Sequence, residues 1–184
     1  MHSQTQQMDA KLESKYLRLE QTRNLLLDEL ESLDDAQLNS MPAAGKWSLN
    51  QHVAHLVIVD DAALGGIRYK LQQQDKLRDS TFAQAVKAFL LKVALKSGKK
   101  YKAPAAVATV PDTAHLPALR QNWDKVRFQL EDELTSMPHH LLDKGIFKHP
   151  RVGYLNINQT LSFLQDHFDH HVQIMQRIKS ELIN

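Results

Sequence analysis

Leu12, Tyr16, Leu19, Leu26, Leu30 and Leu33 recur at helical spacing and predict a first helix from about Gln6 to Leu33. Asp34 to Lys46, which contains Pro42 and Gly45, reads as a connector. The second helix marks its own start. Ser48 stands at the cap, Gln51 three residues on completes a capping box, and Trp47 occupies the position of a hydrophobic staple. This helix is predicted from Leu49 to about Gln73, with Gly65 and Gly66 inside it as a kink or a point of close packing. Phe82 to Lys96 reads as a shorter helix, and Ser97 to Pro111 as a long loop. Thr113 to Met137 is the next long helix, with Pro117 in its first turn, where a missing donor costs least. Pro138 to Leu155 reads as a second long loop, and a last helix runs from about Asn156 to Leu182. No stretch alternates strongly enough to predict a strand, and no segment repeats. Four long helices and one short one predict an all-α fold, a single four-helix-bundle domain.

The last helix carries the chemistry. On a wheel of about 100° per residue, Leu161, Leu164, Phe168, Val172, Met175, Ile178 and Leu182 define its buried arc. His167 and His171 fall inside that arc, His170 at its edge, and Asp166, Asp169 and Gln173 outside it. Residues four apart rise from one helix face. Burying two imidazoles in line without a shared partner costs polar desolvation twice. A metal ion shared by the pair removes that cost, and a histidine from a facing helix completes a three-histidine site. Such a set suits zinc, nickel or iron and leaves a coordination position open. The second helix offers two candidates. His55 shares a face with Val59 and Ala62, and His52 lies on the flank toward Leu49 and Leu56. Periodicity leaves either free to point inward and puts His55 ahead of His52.

Composition narrows the setting. A chain of 184 residues suits one domain with a real core. A net charge of +2 is too small to imply nucleic acid or an acidic membrane as partner. The absence of cysteine excludes disulfides, thiolate ligands and a cysteine nucleophile. The N-terminus lacks the apolar segment of a signal peptide, and no apolar run reaches the length of a membrane span. The expectation is a soluble, cytoplasmic protein.

The remaining polar residues read more plainly. His139, His140 and His149 are loop histidines, the last with backbone biased to extended geometry by Pro150. Asp60, Asp166, Asp169 and Glu131 are conceivable general bases, but each reads first as surface charge. Gln51 is placed to serve a ligand histidine from behind, although capping already accounts for it. Trp47 and Trp123 read as core or interface residues. Lys87, Lys92, Lys96, Lys99, Lys100 and Lys102 form a basic stretch best taken as a solvated face, with no nucleic-acid motif beside it.

Three segments carry a family resemblance. Phe147 to Leu155 reads Phe-Lys-His-Pro-Arg-Val-Gly-Tyr-Leu; the last helix carries His-Phe-Asp-His-His-Val-Gln-Ile from His167; and Lys46 to Leu56 reads Lys-Trp-Ser-Leu-Asn-Gln-His-Val-Ala-His-Leu. In this order and spacing the chain resembles DinB-like proteins, including the YfiT-type group, over nearly its whole length. The resemblance implies a four-helix bundle that pairs as a homodimer. It implies a divalent metal, nickel or zinc first and iron or manganese next, held by one histidine from the second helix and two, four apart, from the last. Those positions correspond to His55, His167 and His171, with His52 and His170 close enough to replace a ligand. It further implies a hydrolase or thiol S-transferase acting on a small molecule, with a low-molecular-weight thiol as the partner. The alternative is a metal- or ligand-binding bundle without turnover. A plain interaction module with core histidines is the third reading.

Overall fold

In the computed structural model, which describes residues 7–81, 86, 87, 90, 93, 107 and 109–183, α1 (Ala10–Leu30) starts where the Asp9 carboxylate accepts the backbone N–H groups of Lys11 and Leu12. The predicted connector contains a short helix of its own, α2 (Asp35–Asn39). Asp34 and Gln37 cap it reciprocally, a signal present in the sequence and passed over there. α3 (Leu49–Leu71) begins at the expected capping box. The Ser48 hydroxyl accepts from Gln51 N at 3.2 Å, and Gln51 Oε1 accepts from Ser48 N at 3.0 Å. α4 (Leu116–Thr135) carries Pro117 in its first turn. α5 (Ile157–Ile183) opens on a reciprocal pair between Asn156 and Gln159. Most of the predicted Phe82–Lys96 helix and Ser97–Pro111 loop lies outside the described residues; residues 86, 87, 90, 93 and 107 are helical.

The second predicted loop is not structureless. It holds an antiparallel hairpin, β1 (Phe147–His149) with β2 (Gly153–Leu155), in which His149 stands opposite Gly153. Three residues per strand are too few to show alternation, so the pattern could not reveal them. Gly153 takes φ +87°, a backbone geometry that glycine adopts without the steric cost a side chain would bring. The hairpin lies against α3 at Gly66. A Cβ there would stand 3.2 Å from Phe147 Cδ2, so the glycine serves close packing in an unbroken helix.

α3 packs against α4 and α5, and α1 packs against α5 and α4, so the four long helices close a ring with α1 diagonal to α3. The apolar interior is two clusters. One gathers Leu12, Tyr16, Leu19, Ala63, Ile67, Leu130 and Leu161 toward the hairpin end. The other gathers Leu27, Leu49, Val53, Leu56, Trp123, Phe168 and Met175 toward the opposite end. Polar groups occupy the level between them. On one side Asp60 of α3 accepts from Trp123 Nε1 and from Arg127 Nε at 2.9 Å, and Glu20 and Arg23 of α1 continue the network. On the other side lie the histidines. Asp60, expected as surface charge, is 5% exposed and committed to these partners. Among the described residues, no helix is long and apolar enough to cross a membrane.

Candidate metal centre

The capping box at Ser48 fixes the first turn of α3, and with it the positions of His52 and His55. Two further bonds anchor that turn. Asn50 Nδ2 donates to the Ala114 carbonyl at 2.7 Å, and Gln51 Nε2 donates to the Pro111 carbonyl at 3.1 Å. Gln51 therefore caps the helix and ties it to the segment before α4. Across from this turn, His167 and His171 rise from α5 one turn apart.

The structure brings His55, His167 and His171 together. Each offers a ring nitrogen, and the three nitrogens lie within 4.8 Å of one another. The ring centroids of His55 are 5.2 Å from His167 and 4.8 Å from His171. His55 and His171 are buried and His167 is half-buried. His52 is not a member of this group; it stands behind His171, with Nδ1 to Nδ1 at 2.9 Å. Periodicity puts His55 ahead of His52 without excluding either, and packing against α5 brings His55 into the group. His170 contacts the His171 ring edge-on at 5.5 Å and likewise lies outside the group.

The chemistry of the donors fits a divalent ion. A ligand imidazole must be neutral, and burial is the leading cause holding all of these rings neutral. It lowers His52 to about 4 and His167 to about 3, with neighbouring histidines adding to the effect. His55 and His171 are lowered for the same first reason, His55 partly offset by its backbone bond. That bond also sets the tautomer. His55 Nδ1 stands 2.8 Å from the Val107 carbonyl, which can only accept, so Nδ1 carries the proton and Nε2 keeps its lone pair.

Aromatic rings close the surroundings. Trp47, expected as a core or interface residue, lies 5.0 Å from the His55 ring and 5.4 Å from that of His52. Phe163, one turn before His167, lies 5.7 Å from it and also meets His149 edge-on at 4.6 Å. His149 is no ordinary loop histidine. It is 6% exposed, and its Nδ1 accepts the N–H groups of Arg151 and Val152 at 3.2 and 3.3 Å, bracing the hairpin turn. His139 and His140 are exposed, as expected for turn residues. Of the candidate bases, Asp166 is buried, Asp169 holds Gln165 Nε2 at 2.7 Å, and exposed Glu131 approaches the Tyr16 hydroxyl at 3.4 Å. None of them belongs to the histidine group. In the basic stretch Lys87 is exposed, and the other five lysines lie outside the described residues.

Fold and site together define an all-helical bundle whose middle holds a cluster of three neutral histidines suited to a divalent metal. The chain belongs to the DinB superfamily, whose family model matches residues 18–175. It is also similar to uncharacterized protein YuaE of Bacillus subtilis (strain 168), with 25% identity over 155 residues that cover 84% of this chain and 91% of the relative. No solved structure matches the chain.

Proposed function

We propose that this protein is a metal-dependent enzyme that holds a divalent ion through His55, His167 and His171 and acts on a small molecule, as a hydrolase or a thiol S-transferase. The observation that carries the reading is the convergence of three neutral imidazoles from two helices to within 4.8 Å. An ion bound by three neutral ligands keeps its full charge, and nickel or zinc suits such a donor set. When bound, it would supply Lewis-acid chemistry, making a bound water or thiol a nucleophile near neutral pH.

The chain's own residues prepare the site in three ways. Burial disfavours the protonated form of the ligand rings, so the neutral imidazole that a metal needs is the favoured one. The Val107 carbonyl holds the His55 proton on Nδ1, which leaves the Nε2 lone pair free for a metal. Trp47 and Phe163 flank the histidines with apolar surface, which favours a reactant with an apolar portion. Asp60 is not the general base, because Arg127 and Trp123 occupy its carboxylate.

Elemental analysis tests the reading. Protein purified without chelator or nickel affinity resin is expected to carry near-stoichiometric metal, lost in both His55→Ala and His167→Ala. Screening of thiol acceptors and hydrolysable esters and amides would then follow with that metal. Failure to take up zinc, nickel, manganese or ferrous iron on reconstitution would overturn the proposal.

A further inference from the structure

The 2.9 Å contact between His52 Nδ1 and His171 Nδ1 joins two buried imidazoles that come from different helices. A nitrogen pair at this distance shares one proton: one ring donates N–H and the other accepts with its lone pair. Either way His171 Nδ1 is spent, and Nε2 is the ring nitrogen left to serve an ion shared with His55 and His167. The direction of the bond decides whether that nitrogen is usable. Where His52 donates, a neutral His171 carries its own proton on Nε2, and the position is blocked. Where His171 donates, its Nε2 is bare, and neutral His52 must carry its proton on Nε2.

Resting on the reading that His55, His167 and His171 hold a divalent ion, we infer that His52 is a positioning residue for His171. Its Nδ1 accepts the His171 Nδ1–H and selects the tautomer whose Nε2 is free for metal. The arrangement parallels that at His55, where the Val107 carbonyl does the same work. Among the described residues, His171 Nδ1 has no other hydrogen-bond partner. An imidazole accepts without bringing negative charge, which leaves the charge of a bound ion undiminished where a carboxylate would offset it. The His52 ring is itself held. Trp47 meets it edge-on, with planes at 73°, and the capping box sets its place on the helix. Outer partners of this kind typically change metal affinity by about 10–100-fold when removed.

The test compares zinc affinity of the wild type, His52→Leu and His52→Gln by competition with a chromophoric chelator. Far-UV circular dichroism of each metal-free protein checks the fold. His52→Leu is expected to bind one zinc about 10–100-fold more weakly. His52→Gln, whose amide oxygen can accept the same N–H, should recover most of that loss. Long-range proton–nitrogen spectra of zinc-loaded, histidine-labelled wild type should place the His171 proton on Nδ1 and the His52 proton on Nε2. That spectrum decides the matter even where His52→Leu does not fold. Unchanged affinity in His52→Leu, or a proton on His52 Nδ1 in the loaded protein, would overturn the inference while leaving the three-histidine site intact. Loss of zinc stoichiometry in both variants would overturn it by making His52 a ligand. A wild type that takes no zinc would overturn the underlying site as well.

Discussion

Asp60→Ala should be among the most damaging single substitutions in this protein. Asp60 Oδ2 accepts from Trp123 Nε1, from Arg127 Nε at 2.9 Å and from Arg127 Nη2 at 2.8 Å. Arg127 is 1% exposed, and its other carboxylate neighbour, Glu20, stands farther away at 3.5 Å. Removing the carboxylate would leave a buried guanidinium with one distant counter-charge and a buried indole N–H without its acceptor. Breaking a buried pair in this way costs about 3–5 kcal/mol, against a total stability of about 5–15 kcal/mol. For a domain of this size that corresponds to a loss of about 6–20 °C in melting temperature. Asp60→Asn keeps the shape and one acceptor oxygen, and should cost less. Urea denaturation of the metal-free proteins measures both. The double variant Asp60→Leu/Arg127→Met separates the pair from its context, since removing both charges spares the desolvation cost. It should be clearly more stable than Asp60→Ala. A cost below about 1 kcal/mol for Asp60→Ala, far under the value for a broken buried pair, would refute the reasoning. So would a double variant no better than the single.

Acid should destabilise the metal-free protein before most carboxylates titrate. The folded pKa of His52 is lowered to about 4 from an unfolded value near 6.5, so the unfolded chain binds the proton first. Stability is whole above pH 6.5 and falls as pH drops toward 4, by about 2 kcal/mol at pH 5 for such a histidine; denaturant midpoints at pH 7.5 and pH 5 that coincide would contradict this. Gly145→Ala places a Cβ 2.9 Å from Tyr154 Cβ, and should lower stability by about 1–3 kcal/mol, the usual cost of overpacking, measured by thermal melt. Trp47 lies 5.0 Å from the His55 ring, so titration with nickel should quench its fluorescence, and Trp47→Phe should remove most of the response. Equal quenching in that variant would place the ion elsewhere.

Much of the bundle was legible because its signals are local. The stripe from Leu12 to Leu30, the capping box at Ser48 and Gln51, Pro117 in a first turn and the arc of the last helix all depend on neighbours within a few positions. His167 and His171 were legible for the same reason, being one turn apart on an apolar face. The buried charge network left a trace that went unread. Arg23 falls between Leu19 and Leu26 in the stripe of α1, Asp60 between Leu56 and Ala63 in α3, and Arg127 beside Val126 in α4. A charge in the stripe of each of three helices is the pattern of a buried ionic level, but no single helix shows that the charges meet. The hairpin was hidden for another reason, since strands of three residues carry no measurable period.

By itself, then, the sequence determined the four long helices, their apolar faces and the two α5 histidines, because helix formation and amphipathicity are written within a turn or two of chain. Only the tertiary structure decided which helices are neighbours, and so what each polar group meets. It set His55 among the three and His52 behind His171, although both stand on the same few turns of α3. It turned Asp60 inward to Arg127 and brought Trp47 against the histidine rings. Those outcomes depend on the rotation and spacing of one helix against another, which arise from packing side chains far apart in the chain, 67 residues for Asp60 and Arg127 and 119 for His52 and His171, and leave no period along it.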